Sequence, residues 1–219
     1  MNPTLIEWTI YTWNVIVGCL TGCWYCYARR QAKRQRRRCG RCYLFEPHFH
    51  PERLNQPLRV KEPALIFGDS MSDVFGLWIP REWFEAILDV VRRCPRHVFQ
   101  FLTKFPEGTT GYVFPENCWI GTSVDGQKSL WRIDALRRVS AAVRFVSFEP
   151  LLAPIGSVDL RGIDWVIVGA QTGPRAVKPD TEWVSELIDD CREASVLVFV
   201  KNNVKWTKTI REWPEGIAR

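Results

Sequence analysis

The sequence contains no long apolar run. None of the hydrophobic segments in its 219 residues approaches the roughly 20 residues that a membrane-spanning helix requires. The N-terminus also lacks the basic and then apolar pattern of a secretion signal. These two absences predict a cytoplasmic protein with no membrane partner.

Negative charge is missing from one stretch of the chain. Residues 29–41 contain eight basic side chains and no acidic one, whereas the whole chain has 30 basic and 24 acidic residues. This density of positive charge attracts phosphate groups, so the segment is a candidate contact for nucleic acid. A solvated helix face and a docking surface for a reductase are the alternatives. The basic residues are Arg29, Arg30, Lys33, Arg34, Arg36, Arg37, Arg38 and Arg41.

Disulfide bonds are a poor use for the eight cysteines, because the chain is neither short nor secreted in pattern. Cys19, Cys23 and Cys26 instead fall within eight residues in a C-x3-C-x2-C pattern. A loop with this spacing can place three thiolates on neighbouring corners of a [4Fe-4S] cluster and leave the fourth iron open. The loop is therefore a predicted iron–sulfur site.

A second cysteine pair follows the basic residues. Cys39 and Cys42 are separated by two residues, and His48 and His50 follow closely. Two thiolates and two imidazoles can hold a zinc ion tetrahedrally, although this spacing is not that of a standard zinc finger. An auxiliary iron–sulfur site and a pair of ordinary thiols are the alternatives.

Apolar, β-branched runs alternate with helical patterns along the chain, which predicts an α/β fold with parallel strands. Amphipathic helices are predicted around residues 83–91, 130–139 and 183–191, and a basic helix over residues 28–38. Reduced crossovers between six or seven strands predict an open or partial TIM-type (βα)6-7 barrel. The length fits one domain over residues 1–219, with a basic insertion at about 29–59. The predicted strands are Asn14–Val17, Ala64–Phe67, Val98–Leu102, Trp119–Thr122, Arg144–Phe148, Trp165–Val168 and Val196–Val200.

Polar residues and glycines follow several of the predicted strands. Because the carboxyl ends of parallel strands meet at one face of a barrel, we expect these residues to share a pocket. They are Gly68, Asp69, Ser70, Lys104, Ser123, Glu149, Gly169 and Gln171.

The cysteine loop and several other segments also carry a family resemblance. The loop reads Gly-Cys-Leu-Thr-Gly-Cys-Trp-Tyr-Cys-Tyr over residues 18–27, and the other segments are 6–9, 12–14, 26–28, 50–54, 70–73, 100–104, 145–152 and 165–169. Together they resemble the radical S-adenosylmethionine (radical SAM) superfamily, and within it a small phage-type "three-Cys-motif" family. The loop alone is similar to the cluster loop of spore photoproduct lyases.

The resemblance implies that a [4Fe-4S] cluster on the three loop cysteines cleaves SAM reductively and that the resulting radical abstracts hydrogen from a substrate. By likeness, the backbone near Tyr25 contacts the adenine, and Asp69 and Ser70 accept hydrogen bonds from the SAM ammonium. Ser123 is a candidate for the ribose, Lys104 for the carboxylate, and the backbone from Gly169 to Gln171 for the adenine edge.

Two rim positions have more than one interpretation. Glu149, in a Phe-Glu-Pro turn, is predicted either to bind SAM or substrate, or to tie down the barrel rim. Gln171 is a neutral amide where the similar proteins tend to have a glutamate, which puts an ionic role at that position in doubt.

The leading functional hypothesis is a radical SAM enzyme that modifies or repairs a nucleic acid. It implies a flavodoxin- or ferredoxin-type electron donor, and a large substrate or partner subunit that covers the radical. One alternative is a zinc-stabilised nucleic-acid-binding protein without catalysis. Another is a SAM-binding scaffold that has lost turnover, which the change at Gln171 favours.

Overall fold

A mostly parallel sheet of eight strands forms the centre of the computed structural model, which describes residues 1–215. In chain order the strands are β1 (Asn2–Pro3), β2 (Tyr11–Thr12), β3 (Ile16–Val17), β4 (His48–Phe49), β5 (Leu65–Phe67), β6 (Val98–Thr103), β7 (Cys118–Ser123), β8 (Val143–Phe148), β9 (Trp165–Val168) and β10 (Leu197–Val200). Strands β2 and β5 to β10 are parallel neighbours in the order β2-β5-β6-β7-β8-β9-β10. Strand β1 pairs antiparallel with β2, while β3 and β4 form a separate antiparallel pair. This arrangement confirms the predicted α/β fold and is consistent with an open or partial barrel.

The three amphipathic helices lie where the sequence predicts them, and they cover the outer face of the sheet with their apolar sides. The basic helix is shorter than predicted, because it ends at Ala32 and continues only as a 3-10 turn over Lys33–Gln35. Basic side chains four residues apart, such as Arg30 and Arg34, repel each other along a helix, and no acidic residue offsets them. The helices are α1 (Tyr27–Ala32), α2 (Gly40–Leu44), α3 (Arg81–Arg93), α4 (Trp131–Arg137) and α5 (Thr181–Glu193).

The first parallel strand lies earlier in the chain than predicted. Tyr11–Thr12 pairs with β5. Within the predicted strand Asn14–Val17, only Ile16 and Val17 form a strand, and this strand, β3, pairs with β4 outside the central sheet. Residues 15–17 are buried, and Ile16 and Val17 form one strand of this separate pair, so their apolar character does not mark a strand of the central sheet. An apolar run alone was therefore not enough to place this strand in the central sheet.

Large aromatic side chains fill the inside of the barrel. Trp165 is fully buried among Trp8, Phe145 and Phe199, with ring centroids 5.8 to 6.5 Å apart. A Cβ atom on Gly121 would come within 2.4 Å of the Phe145 ring, so only glycine leaves room for that ring. Apolar packing thus closes the body of the barrel and leaves the strand ends above it for polar groups.

Side chains bridge the gap between β10 and β2, the two ends of the parallel array. Glu7 pairs with Arg211 and accepts hydrogen bonds from the Asn202 amide at 3.1 and 3.2 Å. The main chain of Trp8 is held by the Gln100 side chain, which donates to its carbonyl oxygen at 3.2 Å. The N-terminal segment thereby covers the open side of the sheet.

None of the helices in residues 1–215 is both long and apolar enough to cross a membrane.

Candidate functional site

A cleft of about 1210 Å³ opens at the carboxyl ends of the parallel strands. It contains side chains that follow five successive strands of the sheet, as expected for residues that leave parallel strands at the same face. Those side chains are Asp69, Lys104, Ser123, Glu149 and Gln171.

Two of the predicted site glycines serve close packing beside the cleft. A Cβ atom on Gly68 would lie 2.2 Å from the Phe101 ring, and one on Gly169 would lie 2.8 Å from the Glu149 carboxyl carbon. Neither glycine is among the residues that line the cleft. Their role in the fold is to let neighbouring side chains approach the strand ends.

The loop cysteines form one wall of the same cleft. Cys19, Cys23 and Cys26 all line it, and all are half-buried free thiols. The Cys26 sulfur accepts a hydrogen bond from the Arg29 amide at 3.3 Å and caps the start of α1. The Cys19 sulfur lies 3.0 Å from the Thr21 hydroxyl. The three thiols therefore share one cleft, and none of them is used in a disulfide bond.

Burial disfavours the thiolate form of two loop cysteines, Cys19 and Cys23. Burial raises the pKa of Cys19 above its usual value, although the hydrogen bonds from Thr21 oppose this shift. Burial also raises the pKa of Cys23, and the nearby positive charge of Lys104 opposes it. A bound cationic group would have to displace these protons, because metal ligation requires the thiolate.

A network of three polar side chains ties the cysteine loop to the strand ends. Tyr25 donates its hydroxyl hydrogen bond to Asp125, and the Lys104 ammonium lies 2.9 Å from the Tyr25 oxygen and 3.1 Å from Asp125. Burial acts to raise the pKa of Asp125, but the Lys104 charge and hydrogen bonds from Tyr25, Lys104 and Ser129 together lower it to about 2. Asp125 therefore stays ionised and holds the loop.

The Asp69 carboxyl group is buried with one oxygen unsatisfied. Its Oδ1 accepts from the Leu102 amide at 3.3 Å, whereas its Oδ2 has no hydrogen-bond partner within residues 1–215. Burial raises the pKa of Asp69 well above the usual range, and the nearby Asp73 carboxylate raises it further. Asp69 borders the cleft, but this oxygen is itself buried, so a cationic or hydrogen-donating ligand would reach it only after neighbouring side chains shift.

Neighbouring polar groups next to Asp69 are already paired. The Ser70 hydroxyl exchanges hydrogen bonds with the Asn14 side chain at 2.9 and 3.1 Å. Asp73 accepts from the Thr103 hydroxyl at 2.6 Å and from the Lys104 amide at 2.9 Å. These contacts leave Asp69 as the under-bonded acid of this part of the cleft.

Glu149 forms a buried ion pair with Lys201 across the strand ends. This contact links β8 to β10 over the top of the barrel. The Gln171 side chain folds back on its own loop, where it accepts from the Val177 amide at 3.0 Å. The amide of Ala170 is likewise satisfied by Asn203, at 3.1 Å. Both rim positions have structural partners, and both still border the cleft.

The basic residues divide into two groups. Arg29, Arg30 and Arg41 donate to backbone carbonyls of the cysteine loop, of Thr172 and of Pro47. The other five are exposed and have no ion pair with any residue in the part of the chain that the structure describes. These five are Lys33, Arg34, Arg36, Arg37 and Arg38.

The second cysteine pair and the two histidines form a compact cluster, which we call the Cys2His2 cluster: Cys39, Cys42, His48 and His50. One ligand atom from each residue lies within 4.8 Å of all the others, so the cluster could hold a metal ion. The sequence had left three interpretations of these residues open. The structure brings all four together, as the two metal-binding interpretations require.

Three residues of the site were missed from the sequence. Asn14 positions Ser70, Asp125 fixes Tyr25, and Lys201 pairs with Glu149. Asp125 and Lys201 each lie just beyond a predicted strand, so their position at the strand ends was a usable signal. Asn14 carried no such signal, because the sequence placed it inside a strand.

Comparison with known protein families places most of the chain within one family model. The model of the family described as "Protein of unknown function (DUF5131)" matches residues 3–215. The chain belongs to this family. The matched range includes the cysteine loop, the Cys2His2 cluster and the strand ends around the cleft. No match was found among curated proteins or among solved structures.

Proposed function

We propose that the protein is a radical SAM enzyme that acts on a nucleic acid. The observation that carries this proposal is the convergence of three loop cysteines and the strand-end polar groups on one cleft. Three free thiols on one wall suit a cluster that keeps one iron open. Cys19, Cys23 and Cys26 would hold a [4Fe-4S] cluster, which in its reduced state would supply one electron for the cleavage of SAM to methionine and a 5′-deoxyadenosyl radical able to take a hydrogen atom from the substrate.

The residues around the loop would position the cluster and adjust its charge. Cys19, Cys23 and Cys26 bind as thiolates, and the Arg29 amide donates to the Cys26 sulfur. The Lys104 ammonium lies close enough to Cys23 to favour its thiolate. Because Lys104 is already held by Tyr25 and Asp125, we assign it to fixing the loop, whereas the sequence had pointed to the SAM carboxylate.

The unused oxygen of Asp69 supports a place for the SAM ammonium. A buried carboxylate with a free acceptor gains most from a cationic hydrogen-bond donor. Ser123 lines the cleft on the strand two positions away and remains our candidate for the ribose. Gln171 borders the same cleft, although its side-chain oxygen is already used within its loop.

The basic segment supports a nucleic-acid substrate. Arg30, Arg34 and Arg38 line the cleft, and they are spaced four residues apart. Arg34 and Arg38 are exposed and form no ion pair within residues 1–215, so their charge is available to phosphates. A polyanion bound along this segment would reach the mouth of the cleft, where its bases could be modified or repaired.

The exposed tip of the cysteine loop supports docking of an electron donor. Leu20 and Trp24 are 60% and 71% exposed, which is unusual for apolar side chains beside a redox site. A flavodoxin- or ferredoxin-type protein could contact this tip close to the cluster. A partner subunit or the substrate itself could cover the rest of the open cleft.

Loss of one cluster ligand should abolish SAM cleavage. After anaerobic reconstitution with iron and sulfide, the protein should form 5′-deoxyadenosine from SAM when dithionite is added. Cys23→Ser should remove that product, because the cluster loses one of its three thiolates. Cys94→Ala, at a buried thiol on the outer face, is the matched control and should keep both iron and product. A well-formed cluster that yields no product would contradict the proposal and favour a scaffold that has lost turnover.

Removing the exposed, unpaired arginines of the basic segment should weaken nucleic-acid binding and should make the binding constant depend less on salt concentration. In a variant with Arg34→Gln, Arg36→Gln, Arg37→Gln and Arg38→Gln, we expect the slope of log K against log salt to fall by about 3 to 4. Fluorescence anisotropy with a labelled single-stranded oligonucleotide at several salt concentrations measures this slope. Replacing Arg92, Arg93, Arg96 and Arg138 with Gln is the matched control, because these arginines do not line the cleft. An unchanged slope would rule out the segment as a phosphate contact.

A further inference from the structure

The Cys2His2 cluster has the dimensions of a tetrahedral metal site. Tetrahedral zinc bonds of about 2.3 Å to sulfur and about 2.0 Å to nitrogen place the bound sulfur and nitrogen atoms about 3.5 Å apart. The Cys42 sulfur lies 3.3 Å from both His48 Nε2 and His50 Nε2, and the Cys39 sulfur lies 3.6 Å from His48 Nε2. These three distances match those between corners of such a tetrahedron, and all four ligand atoms lie within 4.8 Å of one another.

Both histidines point their Nε2 atoms into the cluster and anchor the other ring nitrogen outside it. His48 Nδ1 lies 2.7 Å from the Glu46 carbonyl oxygen, and His50 Nδ1 lies 2.7 Å from a Glu52 carboxylate oxygen. Each Nδ1 therefore carries the proton, and each Nε2 is left with a lone pair for a metal. A hydrogen bond from the outer ring nitrogen to a carbonyl or carboxylate oxygen is typical of a metal-binding histidine.

The distances also distinguish one metal ion from an auxiliary iron–sulfur cluster. In a Rieske-type cluster the two histidines bind one iron and the two cysteines bind the other. Here the Cys42 sulfur is in contact with both imidazoles, so cysteine and histidine ligands meet at one ion. Among common metals, a tetrahedral set of two sulfurs and two nitrogens indicates zinc.

The cluster is joined to the wall that carries Cys19. His48 pairs with Val17 in the β3–β4 ladder, and the His50 amide donates to the Val15 carbonyl at 2.8 Å. At Gly18, where φ is +102°, a Cβ atom would come within 2.2 Å of the Glu46 carbonyl carbon. The residue before Cys19 therefore packs directly on the segment that the histidines anchor.

We propose that a zinc ion binds here and holds the Cys19 wall of the cleft in place. Its ligands are Cys39, Cys42, His48 and His50. The site is structural, because four protein ligands leave no open position. It also stiffens the base of the basic segment, since Cys39 and Cys42 follow the free arginines directly.

The test separates this site from the cysteine loop. In a full-length variant with Cys19→Ser, Cys23→Ser and Cys26→Ser, the Cys2His2 cluster is still intact, and within residues 1–215 no other group of three or more cysteines, histidines and acids is placed to hold a metal ion. We expect mass spectrometry of the metal content to find about one zinc per chain in this variant, and none after Cys39→Ser and Cys42→Ser are added. Cobalt(II) added to the zinc-free triple variant should give the strong visible absorption of a tetrahedral thiolate site. Iron in place of zinc, or no bound metal, would overturn the proposal whatever the outcome of the SAM assay.

A second variant avoids changing any ligand. Glu52 is exposed, so Glu52→Ala should fold, and the loss of support for His50 should weaken zinc binding about 10- to 100-fold in a chelator competition. Glu62→Ala, at another exposed glutamate, is the matched control and should bind zinc like the parent. Removing zinc should also speed hydrogen exchange at residues 15–18. Equal affinities for both variants, or unchanged exchange at these residues, would contradict the positioning role.

Discussion

Replacing Glu149 with alanine should lower the free energy of unfolding by about 3–5 kcal/mol. The change leaves Lys201, a residue that is only 8% exposed, without its carboxylate partner. An uncompensated buried charge is among the costliest defects that one substitution can cause. Urea denaturation of the wild-type and Glu149→Ala proteins at the same pH measures the difference.

A second substitution shows whether the cost comes from the stranded charge. Adding Lys201→Met to Glu149→Ala should recover most of the lost stability, because an apolar side chain of similar length can fill the site. Glu85→Ala, which breaks the exposed pair with Arg81, is the matched control and should cost no more than about 1 kcal/mol. No recovery in the double variant would show that Glu149 stabilises the rim through contacts other than Lys201. If Glu149 also contacts SAM, the double variant should regain stability without regaining SAM affinity.

Asp69→Asn should weaken SAM binding about 10- to 100-fold. The asparagine keeps an oxygen for the Leu102 amide but loses the charge that faces the ammonium, and a hydrogen bond to a charged group contributes about 1.5–3 kcal/mol. Isothermal titration of the reconstituted protein with SAM measures the change. Asp89→Asn, at an exposed position on α3, is the control and should bind SAM normally. Equal affinity in Asp69→Asn would remove Asp69 from the proposed site.

The same substitution should have the opposite effect on the ligand-free protein. Burial raises the pKa of Asp69 in the folded state above its unfolded value of about 3.9. The folded protein therefore holds the proton more tightly, and the stability this contributes is present below about pH 4 and is lost as pH rises through the folded pKa. We expect Asp69→Asn to be more stable than wild type at pH 8, with the difference shrinking toward pH 4. Thermal melts across this range measure it, and a constant difference would contradict the assignment.

The sequence predicted those elements that are buried on two faces. Strand β9 lies over the predicted range Trp165–Val168, and β6, β7, β8 and β10 shift by one or two residues at their ends. Continuous apolar runs of this kind leave little choice of position. Strand β2 was missed because it has only two residues, Tyr11 and Thr12, and is defined by its hydrogen bonds to β5 more than by its composition.

The sequence predicted which residues lie at the strand ends, but it did not predict which of their side chains contact one another. The strand-end rule brought Asp69, Lys104 and Glu149 to one face. It could not show that Glu149 pairs with Lys201, 52 residues later, while Asp69 keeps an unused oxygen. Such contacts depend on side-chain directions at strand ends that are far apart in sequence, and local pattern does not encode them.

The seam between β10 and β2 gives the barrel one direction in which it deforms most easily. Neighbouring parallel strands elsewhere are joined by a backbone ladder, whereas side-chain contacts such as Glu7 with Arg211 bridge this gap. Widening the seam therefore breaks the Glu7–Arg211 ion pair and the contact of the Asn202 amide with Glu7, while widening any other boundary breaks several main-chain hydrogen bonds at once. A ligand too large for the cleft would be accommodated by opening of the gap between β10 and β2, while the other strand pairs stay joined.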